Sequence, residues 1–151
     1  VIIRRARLDE AATLTQLVFK SKRHWGYDDE FMEQCRSELV VREDDIAAGM
    51  VYVAVDGVDD EALGVYVLTM LSDDEAELDM LFVVPSHIGE GVGAALLSNA
   101  FDVLRASGRS VVWVESDPFA ATFYERAGAL LVGTSTSVST GRELPIYQFR
   151  L

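Results

Sequence analysis

The residues best placed to do chemistry lie in Leu81-Phe82-Val83-Val84-Pro85-Ser86-His87-Ile88-Gly89-Glu90-Gly91-Val92-Gly93-Ala94-Ala95-Leu96-Leu97. An apolar, strand-like run empties into three glycines at alternate positions, and a helical pattern follows. The first-turn N–H groups of such a helix have no intrahelical partner and sit at the positive end of its dipole. With no side chains in the way, the backbone can approach an anion closely. The segment Gly89, Glu90, Gly91, Val92, Gly93 and Ala94 therefore reads as a pyrophosphate cradle. A tight connection needing positive φ would also use glycine. Three glycines within five residues at a strand-to-helix junction favour the cradle.

Which phosphate ligand fits is narrowed by what surrounds the turn. No Gly-Lys-Ser/Thr follows, so the P-loop pattern fails. The dinucleotide pattern G-x-G-x-x-G/A formally matches Gly89, Gly91 and Ala94, with Glu115 at about the right distance onward. A dinucleotide fold normally begins with this unit and adds further parallel ones. Here three strand-like runs precede it, and only the 36 residues Ser116 to Leu151 follow Glu115.

A second unit, Asp117-Pro118-Phe119-Ala120-Ala121-Thr122-Phe123-Tyr124-Glu125-Arg126-Ala127-Gly128-Ala129, has a capping Asp, a Pro at the first helical position and a terminating Gly. Its apolar stripe is Ala120, Phe123, Tyr124 and Ala127, which on pattern alone makes Tyr124 a core residue with its hydroxyl at the rim. Upstream, Glu75 to Val84 alternates. Ala76, Leu78, Met80, Phe82 and Val84 are expected on one face, and Glu75, Glu77, Asp79, Leu81 and Val83 on the other. Three carboxylates on one face repel each other, which raises at least one pKa and attracts a cationic amine. A solvated strand face is the plainer reading, and for Glu75 the preferred one.

These motifs together resemble the GNAT acetyltransferases. The strand-Pro-x-x-x-Gly-x-Gly-x-Gly-Ala run is similar to the family's acyl-CoA-binding motif, with Ile88 where Gln or Arg is usual and Glu90 where a basic residue or Gln is frequent. The Asp117–Ala129 unit resembles the family's Asn-x-x-Ala-x-x-Phe-Tyr-x-x-x-Gly-Phe motif, with Asp117 for Asn and Ala129 for Phe. The resemblance implies acetyl-CoA as cofactor, held by Leu81, Phe82, Val83, the glycine turn, Asp117 and Tyr124. It implies Tyr124 as proton donor to the departing thiolate and a Glu near Glu77 as general base, directly or through water, with Asp79 close behind. A backbone N–H near Leu81 would be the oxyanion donor. Acceptor specificity would fall to the loops between the first helices, where Trp25 and Tyr27 lie. Trp25 can hold an amine by cation–π attraction, or both can plug the sheet. Arg142 can recognise an acceptor carboxylate or cap a helix end. Ser21 to Tyr27 and Gly141 to Pro145 resemble a bacterial subgroup of the family, which names no substrate. The expected reaction is acetyl transfer to a primary amine of a small molecule or peptide. The alternatives are an acyl-CoA sensor without turnover and a dinucleotide-binding oxidoreductase.

The elements that must carry these residues follow from periodicity. Ile2 to Arg7 suits an edge strand, and Asp9 is expected to cap a helix with the stripe Ala11, Leu14, Leu17 and Val18. A second helix spans Asp28 to Leu39. Met50 to Val55, Ala62 to Leu71 and Glu75 to Val84 read as an antiparallel meander. A long helix then runs to Ser107 with Gly108 beyond it. Val111 to Glu115, the Asp117 helix, and the strands Leu130 to Val138 and Leu144 to Leu151 complete the chain. The expected class is α/β with a mixed sheet of six to seven strands and about four helices on both faces. The order is β-α-α-β-β-β-α-β-α-β-β, as one domain over 1–151. The helix after the fourth strand demands a parallel crossover to the fifth.

Bulk composition constrains partners. With 13 basic and 25 acidic residues the net charge is −12, which disfavours nucleic acid and anionic membranes and mildly favours a cationic substrate. It works against a polyanion such as CoA, so local donors must hold one. The single Cys35 excludes an intramolecular disulfide and points to the cytoplasm, and one Cys with two His residues gives no zinc cluster at ligand spacing. No leader-like apolar stretch is read at Val1 to Glu10. A sheet-edge contact or a homodimer is compatible with any of these functions.

Overall fold

The computed structural model describes residues 1–151. Its strands are β1 (Ile2–Arg5), β2 (Val51–Val55), β3 (Ala62–Met70), β4 (Glu75–Val83), β5 (Val111–Glu115), β6 (Leu130–Thr136) and β7 (Glu143–Arg150). Its helices are α1 (Ala11–Arg23), α2 (Asp29–Cys35), α3 (Glu43–Ala47), α4 (Val92–Ala106) and α5 (Ala121–Arg126). The strands form one mixed sheet in the order β1-β2-β3-β4-β5-β7-β6. The chain forms two compact units, Val1–Val67 with Met80–Ala100, and Leu68–Asp79 with Phe101–Leu151. No helix is long and apolar enough to cross a membrane.

In the first unit the strand period of two sorts side chains to two faces. Val51, Val53, Val55, Val65 and Val67 join Leu14, Leu17 and Val18 of α1 and Met32 and Cys35 of α2 in one core cluster. Each such aliphatic side chain contributes about 1.5–3 kcal/mol on burial. The opposite face of β3 meets α4. Tyr66 is fully buried there, and its hydroxyl donates to Asn99 Oδ1 at 2.7 Å. A Cβ on Gly64 would lie 2.8 Å from Leu96 Cδ1 and 3.3 Å from Val92 Cγ1 of α4, so the close approach of β3 and α4 relies on glycine there.

Several boundaries differ from the sequence expectation. β1 ends at Arg5, opposite Tyr52, and the pairing closes with the Ala6 N–H donating at 2.9 Å to the O of Val51, the first residue of β2. Asp9 does not cap α1. Leu8–Glu10 is a 3₁₀ turn, and the longer Glu10 side chain reaches back to accept the Arg7 N–H at 2.7 Å while pairing with Arg4 at 2.8 Å. The Arg4 hydrogen bond holds the Glu10 carboxyl below the usual carboxylate range. Asp28 does cap α2, accepting from the Phe31 N–H at 2.9 Å, and the helix tightens to 3₁₀ over Arg36–Leu39. Helix α3 was not expected. Its sequence EDDIA buries only Ile46 and so shows no periodic stripe.

In the second unit β4 and β5 pair in parallel, as the α4 crossover requires. β7 pairs antiparallel with β5 on one side and β6 on the other. Its core includes Leu104, Val112, Val114, Tyr147 and Phe149. Gly108 (φ 83°) and Gly128 (φ 97°) end α4 and α5 in the left-handed conformation.

Candidate active site

The glycine turn follows a 3₁₀ turn at Pro85–His87. Gly89 (φ 86°) and Gly91 (φ 87°) occupy the left-handed region, and a Cβ on either would meet nothing within 4 Å. Backbone conformation therefore demands glycine at both, and the space in front of them is open. The bond from Ala95 N–H to Gly91 O, at 3.0 Å, is the first rung of α4. The amides of Val92, Gly93 and Ala94 precede it and have no helical acceptor. Open space, positive-φ glycines and three such amides fit a pyrophosphate. The flanking side chains are less suited to one. Ile88 is 40% exposed, and Glu90 carries an exposed carboxylate 3.9 Å from His87 Nε2. Ser86 Oγ lies 3.0 Å from His87 Nδ1.

The carboxylates stand on β4, where the structure corrects the expected alternation. Leu71 N–H bonds Glu75 O at 3.0 Å, and Val84 N–H bonds Leu63 O at 2.8 Å. Glu75 O also accepts from the Ser72 N–H at 3.2 Å, and a break in the β4 alternation, a bulge, follows from the faces on which its side chains lie. Thr69, on the same face of β3 as Val65 and Val67, donates its hydroxyl to Asp79. Met80, Phe82 and Val84 pack on the cluster that contains Val65 and Val67. The break thus lies near Asp79 and Met80. Glu75, Glu77 and Asp79 share a face with Met80, Phe82 and Val84, and Leu81 and Val83 turn to the other.

The three acids differ in their surroundings. Glu75 accepts from Trp113 Nε1 at 3.1 Å and from Ser72 Oγ at 3.5 Å. Asp79 is held by Thr69. Glu77 has no hydrogen-bond partner among protein groups and is half-buried. Burial first, then the charges of Asp79 and Glu115, push its carboxyl above the usual range. Glu115, at the end of β5, is a neighbour the sequence did not assign to this cluster. The parallel pairing that sets Glu77 opposite Trp113 brings it there.

Tyr124 sits on α5, 5% exposed, in contact with Phe123, Tyr147 and Phe149. Burial raises its phenol well above the ordinary tyrosine value, so it stays protonated across the working pH range. No hydrogen bond from a protein group offsets the burial of its hydroxyl. Asp117 caps the 3₁₀ turn before α5 through the Phe119 N–H at 2.9 Å, as its place before Pro118 suggests. The same carboxylate takes an ion pair from Arg142 at 3.5 Å, a link that sequence distance hid. In the first unit, Tyr27 stacks on Phe31 at 4.1 Å and packs on the core cluster. Trp25 is half-buried with its ring edge-on to His24 at 5.7 Å.

The acetyltransferase (GNAT) family model matches residues 13–129, more than three-quarters of the chain. The chain belongs to the GNAT acetyltransferase family. None of the curated proteins matches it in sequence. Among solved structures, the PaiA N-acetyltransferase of Thermoplasma acidophilum, in complex with coenzyme A, superposes with TM-score 0.83 at 19% identity, covering 99% of this chain and 98% of that one. The putative acetyltransferase YncA of Salmonella typhimurium, with acetyl-CoA, gives 0.71 at 20% over 99% and 93%. Rv2747 of Mycobacterium tuberculosis, in complex with CoA, gives 0.70 at 18% over 100% and 99%. At these identities the likeness establishes the GNAT fold.

Proposed function

We propose that this GNAT chain transfers an acetyl group from acetyl-CoA to a primary amine of a small molecule or peptide, acting as one catalytic domain over 1–151. The observation that carries the reading is the glycine turn, where Gly89 and Gly91 open space in front of the unpaired amides of Val92, Gly93 and Ala94. The CoA complexes of YncA, PaiA and Rv2747 support the same ligand. Bound acetyl-CoA would supply the thioester to be attacked. Backbone amides would hold its pyrophosphate, with Leu81 to Val83 and Asp117 as further contacts.

An attacking amine must be neutral, and Glu77 is the carboxylate suited to take its proton. It is the one of the three without a hydrogen-bond donor, and its raised pKa makes it the stronger base. Asp79, occupied by Thr69, is the second choice. A backbone N–H near Leu81, beside the β4 bulge, would stabilise the oxyanion. Tyr124 holds a proton at Oη for the leaving sulfur. With its phenol raised above a thiol of about 8.5, a strong hydrogen bond to the developing thiolate is favoured over full transfer before bond breaking. Trp25 is proposed to face the acceptor, with Tyr27 shaping its loop and Arg142 acting through Asp117.

A sensor that binds acyl-CoA without turnover has one feature in its favour: the apolar Ile88 and acidic Glu90 flanking the cradle weaken it for a polyanion. Measuring free-thiol release from acetyl-CoA across a panel of small amines and peptides separates the readings. Amine-dependent release is expected. Saturable CoA binding with no release from any amine would favour the sensor.

A further inference from the structure

A polyanion needs positive charge, and the chain supplies almost none around its glycine turn. Between Arg42 and Arg105 there is no lysine or arginine, and His87 is the one side chain in that stretch that can become a cation. It ends the 3₁₀ turn just before the cradle. Both ring nitrogens have a neighbour: Nδ1 lies 3.0 Å from Ser86 Oγ, and Nε2 lies 3.9 Å from Glu90 Oε2. The Glu90 N–H donates to His87 O at 3.3 Å, so the backbone keeps the two residues together. Glu90 itself stands between Gly89 and Gly91, the positive-φ glycines that precede the unpaired helix amides. Glu90 is the one charged group in ion-pair range of the ring. The neighbouring strand β3 bonds this turn through the Val84 N–H and Leu63 O, and Glu61, just before that strand, makes no ion pair with His87. The first turn of α4 has no acidic residue.

We propose that His87 is the titratable cation of the coenzyme A site: protonated, it pairs with Glu90 and cancels that carboxylate beside the cradle, so that binding of the pyrophosphate takes up a proton at this ring. The inference rests on coenzyme A as the ligand of the glycine turn. Imidazole is the side chain whose charge changes between about pH 5 and 8. Protonated, the ring has an N–H at each nitrogen, one for Ser86 Oγ and one directed to Glu90. Neutral, it leaves the Glu90 charge uncompensated next to the anion site. Linkage fixes the sign. A ligand that prefers the protonated form draws a proton onto it, and its affinity falls as pH rises. The residue that makes the turn poor for a polyanion is thereby made conditional on pH.

Calorimetric titration of the full chain with dephospho-CoA, between about pH 5.5 and 8 and in two buffers of different ionisation enthalpy, tests this. The dephospho form is used because the 3′-phosphate of coenzyme A is a monoester that itself titrates at about pH 6. The wild type is expected to take up protons on binding. Its affinity should fall by up to about fivefold across the range at low salt, the size of a partly exposed charge pair. His87→Gln should bind at every pH as the wild type does at the alkaline end, with the proton uptake removed. His87→Lys, charged throughout, should bind at every pH as the wild type does at the acid end. His24→Gln, the other histidine replaced, should behave as the wild type. Binding that does not change with pH, or a proton uptake that survives His87→Gln, overturns the inference and leaves coenzyme A as the ligand. Failure of both CoA and dephospho-CoA to bind at any pH overturns the reading of the turn, and this inference with it.

Discussion

Replacing Gly64 by alanine tests how the sheet positions the cradle. Gly64 has ordinary backbone angles, so the substitution adds no φ strain and the effect is purely one of space. A Cβ there would sit 2.8 Å from Leu96 Cδ1, 2.9 Å from the Phe82 carbonyl oxygen and 3.3 Å from Val92 Cγ1. Leu96 can rotate away, but the Phe82 oxygen is backbone and can move only with β4. Val92 is the first residue of α4, whose amide belongs to the cradle. Relief needs about 0.5 Å of movement between β3 and either β4 or the start of α4. Overpacking of this kind costs about 1–3 kcal/mol. For a chain of this length that lowers Tm by about 3–10 °C. Differential scanning fluorimetry gives the Tm, and calorimetric titration gives the CoA Kd. We expect both to worsen, with Ala weakening CoA binding because the amides are displaced. A variant with wild-type Tm and Kd would refute the claim that close approach at Gly64 sets the cradle.

Other substitutions address single roles. Tyr124→Phe is expected to lower kcat by about 100-fold, within the range of general acid catalysis, with little change in CoA Kd or Tm; wild-type turnover would remove Tyr124 as the acid. Glu77→Gln should flatten the acid limb of the pH–rate profile, and an unaffected limb would shift the role to Asp79 or water. The same variant has a stability signature. Because its folded pKa is raised above 4.5, Glu77 favours the folded state at low pH, and that contribution is lost as pH rises through the folded value. The Gln variant should therefore melt higher than wild type at neutral pH and equally below pH 4.5; a lower Tm at neutral pH would contradict the burial cause. Glu90→Lys should tighten CoA binding roughly tenfold at low salt and less at high salt, and weaker binding would place the pyrophosphate elsewhere.

Much of the site was legible because local rules fix it. The glycine turn, the Asp117 cap and the ends of α4 and α5 depend on φ preference and capping over a few residues. What escaped was set by pairing between distant segments. The β4 bulge comes from the register of β4 against β3, and an uninterrupted alternation of residue types conceals it. The proximity of Glu115 to Glu77 needs the parallel β4–β5 register, and the Arg142–Asp117 pair needs β7 inserted beside β5. At Asp9 the chain makes a 3₁₀ turn before α1, and the Glu10 carboxylate turns back to Arg4 and the Arg7 N–H, so neither acidic side chain caps α1. The seven-stranded order itself was beyond reach, since hydropathy places β6 and β7 as strands without saying that β7 goes between β5 and β6.

The most direct test of the central claim is a melting titration with acetyl-CoA, CoA, NAD and NADP side by side. Acetyl-CoA and CoA should raise Tm progressively with concentration, as binding to the folded state requires, while the dinucleotides leave it unchanged. A rise with NAD or NADP alone, or none with either CoA compound, would contradict the account.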